Sequence, residues 1–230
     1  MKDFNAFNLK SIPLFQALTE KEAELITKKV FSSEHEPEQM LTMEHDWGES
    51  MFVLIDGLAK VRTFNEDGEE IVFCILGKGD VFGELSVVDG GTRSADVVAI
   101  TTVQLIKLPG QPVAHILKTN APFTLDIARL EATRLRELNR RFSLQSRDAT
   151  TRFLNAMAYV ACKISGQDDP TAIIPDLVRK EICTLAGLAR ETASRTLSKL
   201  KDRNIIQQSK EGLQLIDLEP LIKRGLINAP

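Results

Sequence analysis

Hydrophobic spacing along the 230 residues changes period twice, and each change marks a new kind of element. Near the N-terminus Leu18, Ala23, Leu25, Ile26 and Val30 can line one face behind a Thr19-x-x-Glu22 capping box, so residues 9–31 read as helical. From about residue 34 to 110 the period shortens. Met51–Ile55, Leu58–Thr63, Ile71–Leu76, Val97–Ile100 and Val103–Leu108 read as strands, separated by turn clusters such as Asp56-Gly57, Glu66-Asp67-Gly68 and Gly77-Lys78-Gly79-Asp80. Turn residues at this spacing predict an antiparallel barrel or sandwich.

Helical spacing then returns. Pro122 suits the first turn of a long helix over 123–145, in which Ile127 or Ala128, Ala132 or Glu131, Leu135, Leu138 or Asn139, and Phe142 recur at three- and four-residue steps. That seam fits either a pair of such helices or one helix packed on its own barrel. Glu131, Arg134, Glu137 and Arg141 border it, where charge pairing would set register, and Asn139 is a polar residue on the seam itself. Asp148 is a good N-cap for a second helix reaching Ile164, which would bury Phe153, Leu154, Met157 and Val160 before a loop at 165–170. From Leu177 to Asn204 two helices fit around Gly187, with Ile182 and Leu185 inward on the first and Ala193, Leu197 and Leu200 inward on the second. Residues 205–216 read as a hairpin, so the predicted motif is a winged helix-turn-helix.

Charge sharpens this division. The net charge of −3 says little, but residues 1–110 carry 10 Lys and Arg against 19 Asp and Glu, whereas residues 176–210 carry 8 against 4. An acidic sensor joined to a basic reader fits that split. A hydrophobic fraction of 43% leaves ample material for a core. No apolar run approaches membrane-spanning length and no signal pattern opens the chain, which suggests a cytoplasmic protein without membrane contact. Cys74, Cys162 and Cys183 are widely spaced, and His35, His45 and His115 lack ligand spacing, so no metal is expected. No nucleophile–base pair or paired carboxylates stand out, which makes an enzyme the weakest reading.

Two stretches carry candidate chemistry. In the first, Gly83, Gly90 and Gly91 permit close backbone approach to an anion, Arg93 offers a bidentate grip and Ser94 a hydroxyl. Glu84 cannot hold a phosphate but suits a ribose hydroxyl, so the loop points to a nucleotide. An Arg93–Glu84 ion pair closing a barrel loop, with no ligand, is the competing reading. In the second stretch Arg190, Glu191, Ser194, Arg195, Ser198 and Lys199 face outward from the second helix. Arginine matches the O6/N7 edge of guanine and glutamate accepts from cytosine N4, while Lys201, Arg203 and Lys210 suit phosphates. A charged helical pair used for protein contacts is the alternative. Trp47 reads as an exposed turn aromatic or a stacking platform for a base.

Phe82-Gly83-Glu84-Leu85 followed by Arg93-Ser94-Ala95 resembles the phosphate-binding cassette of cyclic-nucleotide-binding domains, and all seven motif positions are present. Arg190-Glu191-Thr192-Ala193-Ser194-Arg195 is similar to the recognition face of the CRP/FNR family of bacterial transcription regulators. Ser194 is the residue of the FNR branch, so both GTGA-like and TTGA-like half-sites stay open, and Ala189 replaces the usual hydroxyl N-cap. The resemblance covers nearly the whole chain. It implies an α+β fold with an N-terminal cyclic-nucleotide-binding barrel of jelly-roll type (1–120), a dimerisation helix (121–146) and a C-terminal winged helix-turn-helix (147–230).

The same resemblance implies a homodimer acting with RNA polymerase on palindromic double-stranded DNA, with cAMP or cGMP as allosteric ligand. Gly83, Glu84, Leu85, Arg93, Ser94 and Asn139 would then hold the effector, and Arg190, Glu191, Ser194, Arg195, Lys199 and Lys201 the DNA. At the two helix positions that face the base in the cAMP-responsive branch stand Leu138, which cannot hydrogen-bond, and Asn139, which can. The rival readings are a DNA-binding regulator with a haem, another small-molecule sensor or no effector, and a cyclic-nucleotide-binding regulatory subunit.

Overall fold

The computed structural model describes residues 4–166 and 169–228. Met1-Lys2-Asp3 of the N-terminal reading, and Gln167 and Asp168 of the expected loop, lie outside the described residues. The chain divides into two compact units, Met1–Ala59 with Leu76–Leu138 and Lys60–Ile75 with Asn139–Pro230.

The first unit opens with α1 (Ala6–Lys10), a 3-10 turn at Pro13–Phe15 and α2 (Glu20–Thr27). This corrects the single helical stretch over 9–31. Pro13 has no N–H with which to continue a helix, and Thr19 starts a new one. The Thr19 hydroxyl accepts from the Glu22 amide, and the Glu22 carboxylate accepts the Thr19 N–H at 2.8 Å.

Next come β1 (Phe31–His35), β2 (Met40–Thr42), β3 (Ser50–Asp56), β4 (Ala59–Phe64), β5 (Glu70–Leu76) and β6 (Val81–Phe82). They are followed by α3 (Glu84–Asp89), β7 (Asp96–Ala99), β8 (Val103–Pro109), α4 (Gly110–Thr119) and α5 (Ala121–Leu144). Two four-stranded sheets result, in the orders β1-β8-β3-β6 and β2-β7-β4-β5. β1, β2 and β6 were not expected, because two are very short and β1 is largely polar and exposed; pairing recruits them.

Register decides what the first unit buries. β3 and β8 run antiparallel with Met51 opposite Leu108 and Val53 opposite Ile106, so all four reach one core. Phe15 and Phe123 stack in that core with ring centroids 5.8 Å apart, and Val113, Ile116 and Ile127 complete it. Full burial of each such side chain is worth about 1.5–3 kcal/mol. Of the two readings of the α5 seam, Ile127 follows the second and packs into its own unit. Leu135, Leu138 and Phe142 further along α5 remain exposed.

The second unit holds residues 60–75 of the β4–β5 hairpin together with α6 (Ala149–Ser165), α7 (Arg179–Leu185) and α8 (Arg190–Asp202). β9 (Ile206–Gln208) and β10 (Leu213–Leu215) form the wing, and α9 (Glu219–Lys223) follows. Phe153, Leu154, Met157 and Val160 are buried as expected, with Ile182 on α7 and Ala193, Leu197 and Leu200 on α8; Leu185 is only half-buried. Gly187 turns the chain between α7 and α8 at φ +57°, and its carbonyl accepts from Arg152 Nη1 at 2.9 Å. The architecture is α+β with antiparallel sheets, a long helix and a winged helix-turn-helix. Among the described residues no helix is long and apolar enough to cross a membrane.

Asp148 caps α6, accepting the Thr151 amide at 3.0 Å and the Thr151 hydroxyl at 2.6 Å. Those hydrogen bonds hold its carboxyl below the usual carboxylate range. Asp148→Ala is expected to destabilise the protein by about 1 kcal/mol at neutral pH. Because the folded pKa is depressed, the cap's contribution is present above the unfolded pKa and lost as pH falls through the folded one. Thermal unfolding of both proteins from pH 7 downward should therefore show their difference shrinking.

Candidate functional site

Gly83 enters α3 in the left-handed region (φ +76°) and Gly90 leaves it in the same region (φ +74°). The stretch read as a loop thus contains a six-residue helix bracketed by two glycines. Arg93 follows, 6% exposed, and its guanidinium is clamped by carbonyls of two separate segments. Nη1 donates to Gly83 O at 2.9 Å and Nη2 to Ser50 O at 2.7 Å, with a longer contact from Nη1 to Ser86 Oγ at 3.4 Å. Phe52, stacked on Phe82 at 4.8 Å, lies below it with its ring centroid 5.6 Å from Cζ.

Of the five N–H groups of this fork, Nε–H and one on Nη2 make no hydrogen bond among the described residues. Residue 48 lies against that same part of the group. A Cβ there would stand 2.3 Å from Nε and 2.4 Å from Nη2, so only glycine leaves this approach uncovered. The free pair of donors has the geometry of a bidentate grip on a phosphate.

Glu84 is 4% exposed, and it does not bond Arg93, as the ligand-free reading of the loop required. Arg134 of α5 takes it instead, with Nη1 2.8 Å from Oε1; the same nitrogen lies 3.1 Å from Glu131, and Nη2 donates to Val81 O. Arg134 therefore serves the cassette rather than a helix seam. Glu84 Oε2 is buried and makes no hydrogen bond. Burial pushes the Glu84 carboxyl up from its ordinary range against the pull of Arg134. Ser94 and Leu85 are exposed beside Arg93 and Glu84 in sequence, and Asn139 is exposed on α5 in the second unit. Arg134, Gly48, Ser50 and Phe52 had no sequence signal for these roles beyond the i, i+3 spacing of Glu131 and Arg134.

On α8 the outward face is as expected: Arg190, Glu191, Ser194, Arg195, Ser198 and Lys199 are all exposed while Ala193, Leu197 and Leu200 are buried. Arg195 and Glu191 lie within one turn, Nη2 to Oε2 3.9 Å. Lys201 is half-buried and its ammonium donates to Gln208 Oε1 on the wing. Ala189 caps α8 without a side-chain hydrogen bond. Trp47 is 82% exposed, bridged by its backbone to Thr92 next to Arg93. Among the described residues no group of His, Cys, Asp and Glu could hold a metal ion.

A cassette of this geometry and a winged helix with a basic outer face define a ligand-sensing, DNA-binding regulator. Residues 33–120 match the family model described as cyclic nucleotide-binding domain, and residues 150–224 match that of the Crp-like helix-turn-helix domain. The chain belongs to the CRP/FNR family of transcription regulators. It is 27% identical over 199 residues to the cyclic AMP receptor protein of Thermus thermophilus, covering 86% of this chain and 90% of the relative. The CRP-like cAMP-activated global transcriptional regulator of Mycobacterium tuberculosis is 25% identical over 92% of this chain and 96% of its own. In fold, FixK2 from Bradyrhizobium japonicum is similar, with a TM-score of 0.70 at 17% identity over 88% of this chain and 99% of that one.

The two bracketing glycines separate backbone strain from the arginine clamp. A Cβ at Gly83 would lie 2.4 Å from Arg93 Nη1 and 2.9 Å from Ser50 O, whereas one at Gly90 would meet nothing within 4 Å. Left-handed backbone costs a non-glycine residue about 1–3 kcal/mol. Both Gly→Ala variants should lose that much in thermal unfolding, and Gly83→Ala should lose clearly more.

Proposed function

We propose that this regulator is a homodimer controlled by a cyclic nucleotide in the cassette, with cAMP as the first candidate and cGMP as the second. The observation that carries the reading is the pair of unsatisfied groups at the cassette. Arg93 offers two free donors beside Gly48, and Glu84 Oε2 is a buried acceptor without a donor. A phosphate and a ribose hydroxyl satisfy one each, with Ser94 adding a hydroxyl. A buried polar atom left unpaired costs about 1–3 kcal/mol, which a ligand hydroxyl would recover. Relatives named for cyclic AMP support the choice of nucleotide.

For the reader, Arg190, Glu191 and Arg195 are assigned to base edges, Ser194 and Lys199 to the same groove face, and Lys201 to a phosphate. Two copies paired through the exposed Leu135, Leu138 and Phe142 would present two such helices to half-sites about 34 Å apart, GTGA-like or TTGA-like. RNA polymerase is the partner such a regulator addresses. The effector acts only through its different affinity for two arrangements of the dimer, as a population shift.

Fluorescence anisotropy on a palindromic GTGA-containing duplex at one salt concentration, with cAMP and cGMP titrated separately, tests this. Tightening by one nucleotide is the expected result; specific binding that ignores both would refute the cassette assignment and leave the DNA reader standing. Arg93→Leu should lose the nucleotide response and keep basal DNA binding. Arg195→Ala should weaken the specific site by about 1–3 kcal/mol, the discrimination of one good base contact, with little loss on random DNA.

A further inference from the structure

Lys60 on β4 is 0% exposed and carries its charge into the second unit. Lysine is almost never fully buried unless paired, and here the pairing is double. Nζ lies 2.8 Å from Glu70 Oε1 on β5 and 2.9 Å from Glu181 Oε1 on α7, and Glu181 is itself 2% exposed. Glu70 also accepts Arg62 Nη1 at 2.8 Å. Burial alone would depress the Lys60 ammonium; the hydrogen bonds and charges of Glu70 and Glu181 outweigh it and hold the group above its ordinary value.

Further contacts seat the same hairpin. Tyr159 on α6 accepts the Ile75 N–H at 3.2 Å and donates to Ile75 O at 3.3 Å. Arg141 Nη1 reaches Val72 O at 3.3 Å, with Cζ 5.8 Å from the Tyr159 ring centroid. The hairpin is therefore fastened to α5, α6 and α7 by polar contacts.

A buried ion pair is a poor device for stability, since desolvation consumes most of its Coulombic gain, but removing one partner leaves a stranded charge. Such a contact is close to all-or-none, which suits an element with two discrete arrangements. Its position along the chain matters as much. β5 continues through the turn at 77–80 and β6 into Gly83, while α7 is joined to the reading helix α8 by the four residues 186–189. Lys60 thus stands between the strand that leads to the cassette and the helix that leads to the DNA-contacting face.

We propose that Lys60 is a positioning residue: by bridging Glu70 and Glu181 it fixes the first helix of the helix-turn-helix to the hairpin, and through that joint the state of the cassette reaches α8. The signalling half rests on the cyclic-nucleotide reading above. Lys60→Met keeps an unbranched side chain one atom shorter and removes its charge; Lys60→Arg keeps the charge and is the rescue. Two measurements on the full-length chain are needed: hydrogen–deuterium exchange without nucleotide, and DNA Kd with and without cAMP at one salt concentration.

In Lys60→Met, exchange should rise together in residues 60–75 and 179–185. Allosteric coupling of typical size changes affinity by about 5–150-fold, and this ratio should fall toward one. cAMP affinity measured without DNA should stay at the wild-type value. Lys60→Arg should retain most of the ratio. Should Lys60→Met fail to fold, Glu181→Gln, which preserves shape and removes one partner charge, is expected to show the same loss of ratio.

Exchange confined to the hairpin, with α7 protected as in wild type, would overturn the joint. A wild-type ratio in Lys60→Met would overturn its signalling role. Those results are distinct from failure of the nucleotide reading, in which the wild-type chain itself ignores cAMP and cGMP; that outcome overturns the signalling half, and the exchange data then decide the joint alone.

Discussion

A guanidinium in a residue with 6% of its surface exposed has to place its N–H groups on acceptors that stay where they are. Arg93 does so on two backbone carbonyls, Gly83 O and Ser50 O, from segments far apart in sequence. Much of the cassette follows from that requirement. Residue 83 is glycine both for its left-handed backbone and because a Cβ would collide with Nη1, a side chain at Gly48 would meet Nε, and Phe52 and Phe82 stack to form the floor. The clamp also holds the two remaining N–H groups in a fixed direction, so the ligand proposed for this site would meet preorganised donors.

Buried charge is handled differently at Glu84 and at Lys60. Glu84 has one oxygen on Arg134 and the other without a hydrogen bond, an arrangement that costs free energy until a donor arrives. Lys60 is paired on both sides by carboxylates. The ammonium there is fully paired, although Glu181 Oε2, like Glu84 Oε2, is buried without a hydrogen bond. On α8 the charges of Arg190, Glu191 and Arg195 stay in water. Apolar residues on the opposite face hold that helix in place, so its reading face needs no support from its own side chains.

Much of this was legible without coordinates. The strand-rich middle, the long helix, the capped α6 and the helix-turn-helix with its wing all follow from period, turn residues and caps, which act over a few positions. The outward set on α8 was legible for the same reason, since 3.6-residue spacing separates Ala193, Leu197 and Leu200 from their charged neighbours. Failures came where local signals compete or are weak. Pro13 and the Thr19 cap broke an apparent helix, β1 and β2 exist only through their partners, and the cassette loop contains the short helix α3.

Residue type and short-range spacing were enough to mark out the strand-rich middle, the cassette motif and the outward-facing charged set of α8, because each depends on only a few neighbouring positions. Only the tertiary structure decided which charges meet. Arg134 left the expected helix seam for Glu84, 50 residues away, and Lys60 found Glu181 across 121 residues. Ionic partners are chosen by where the fold brings side chains out of water. Neither spacing nor composition encodes that proximity, since in the unfolded chain each of these groups is satisfied by solvent.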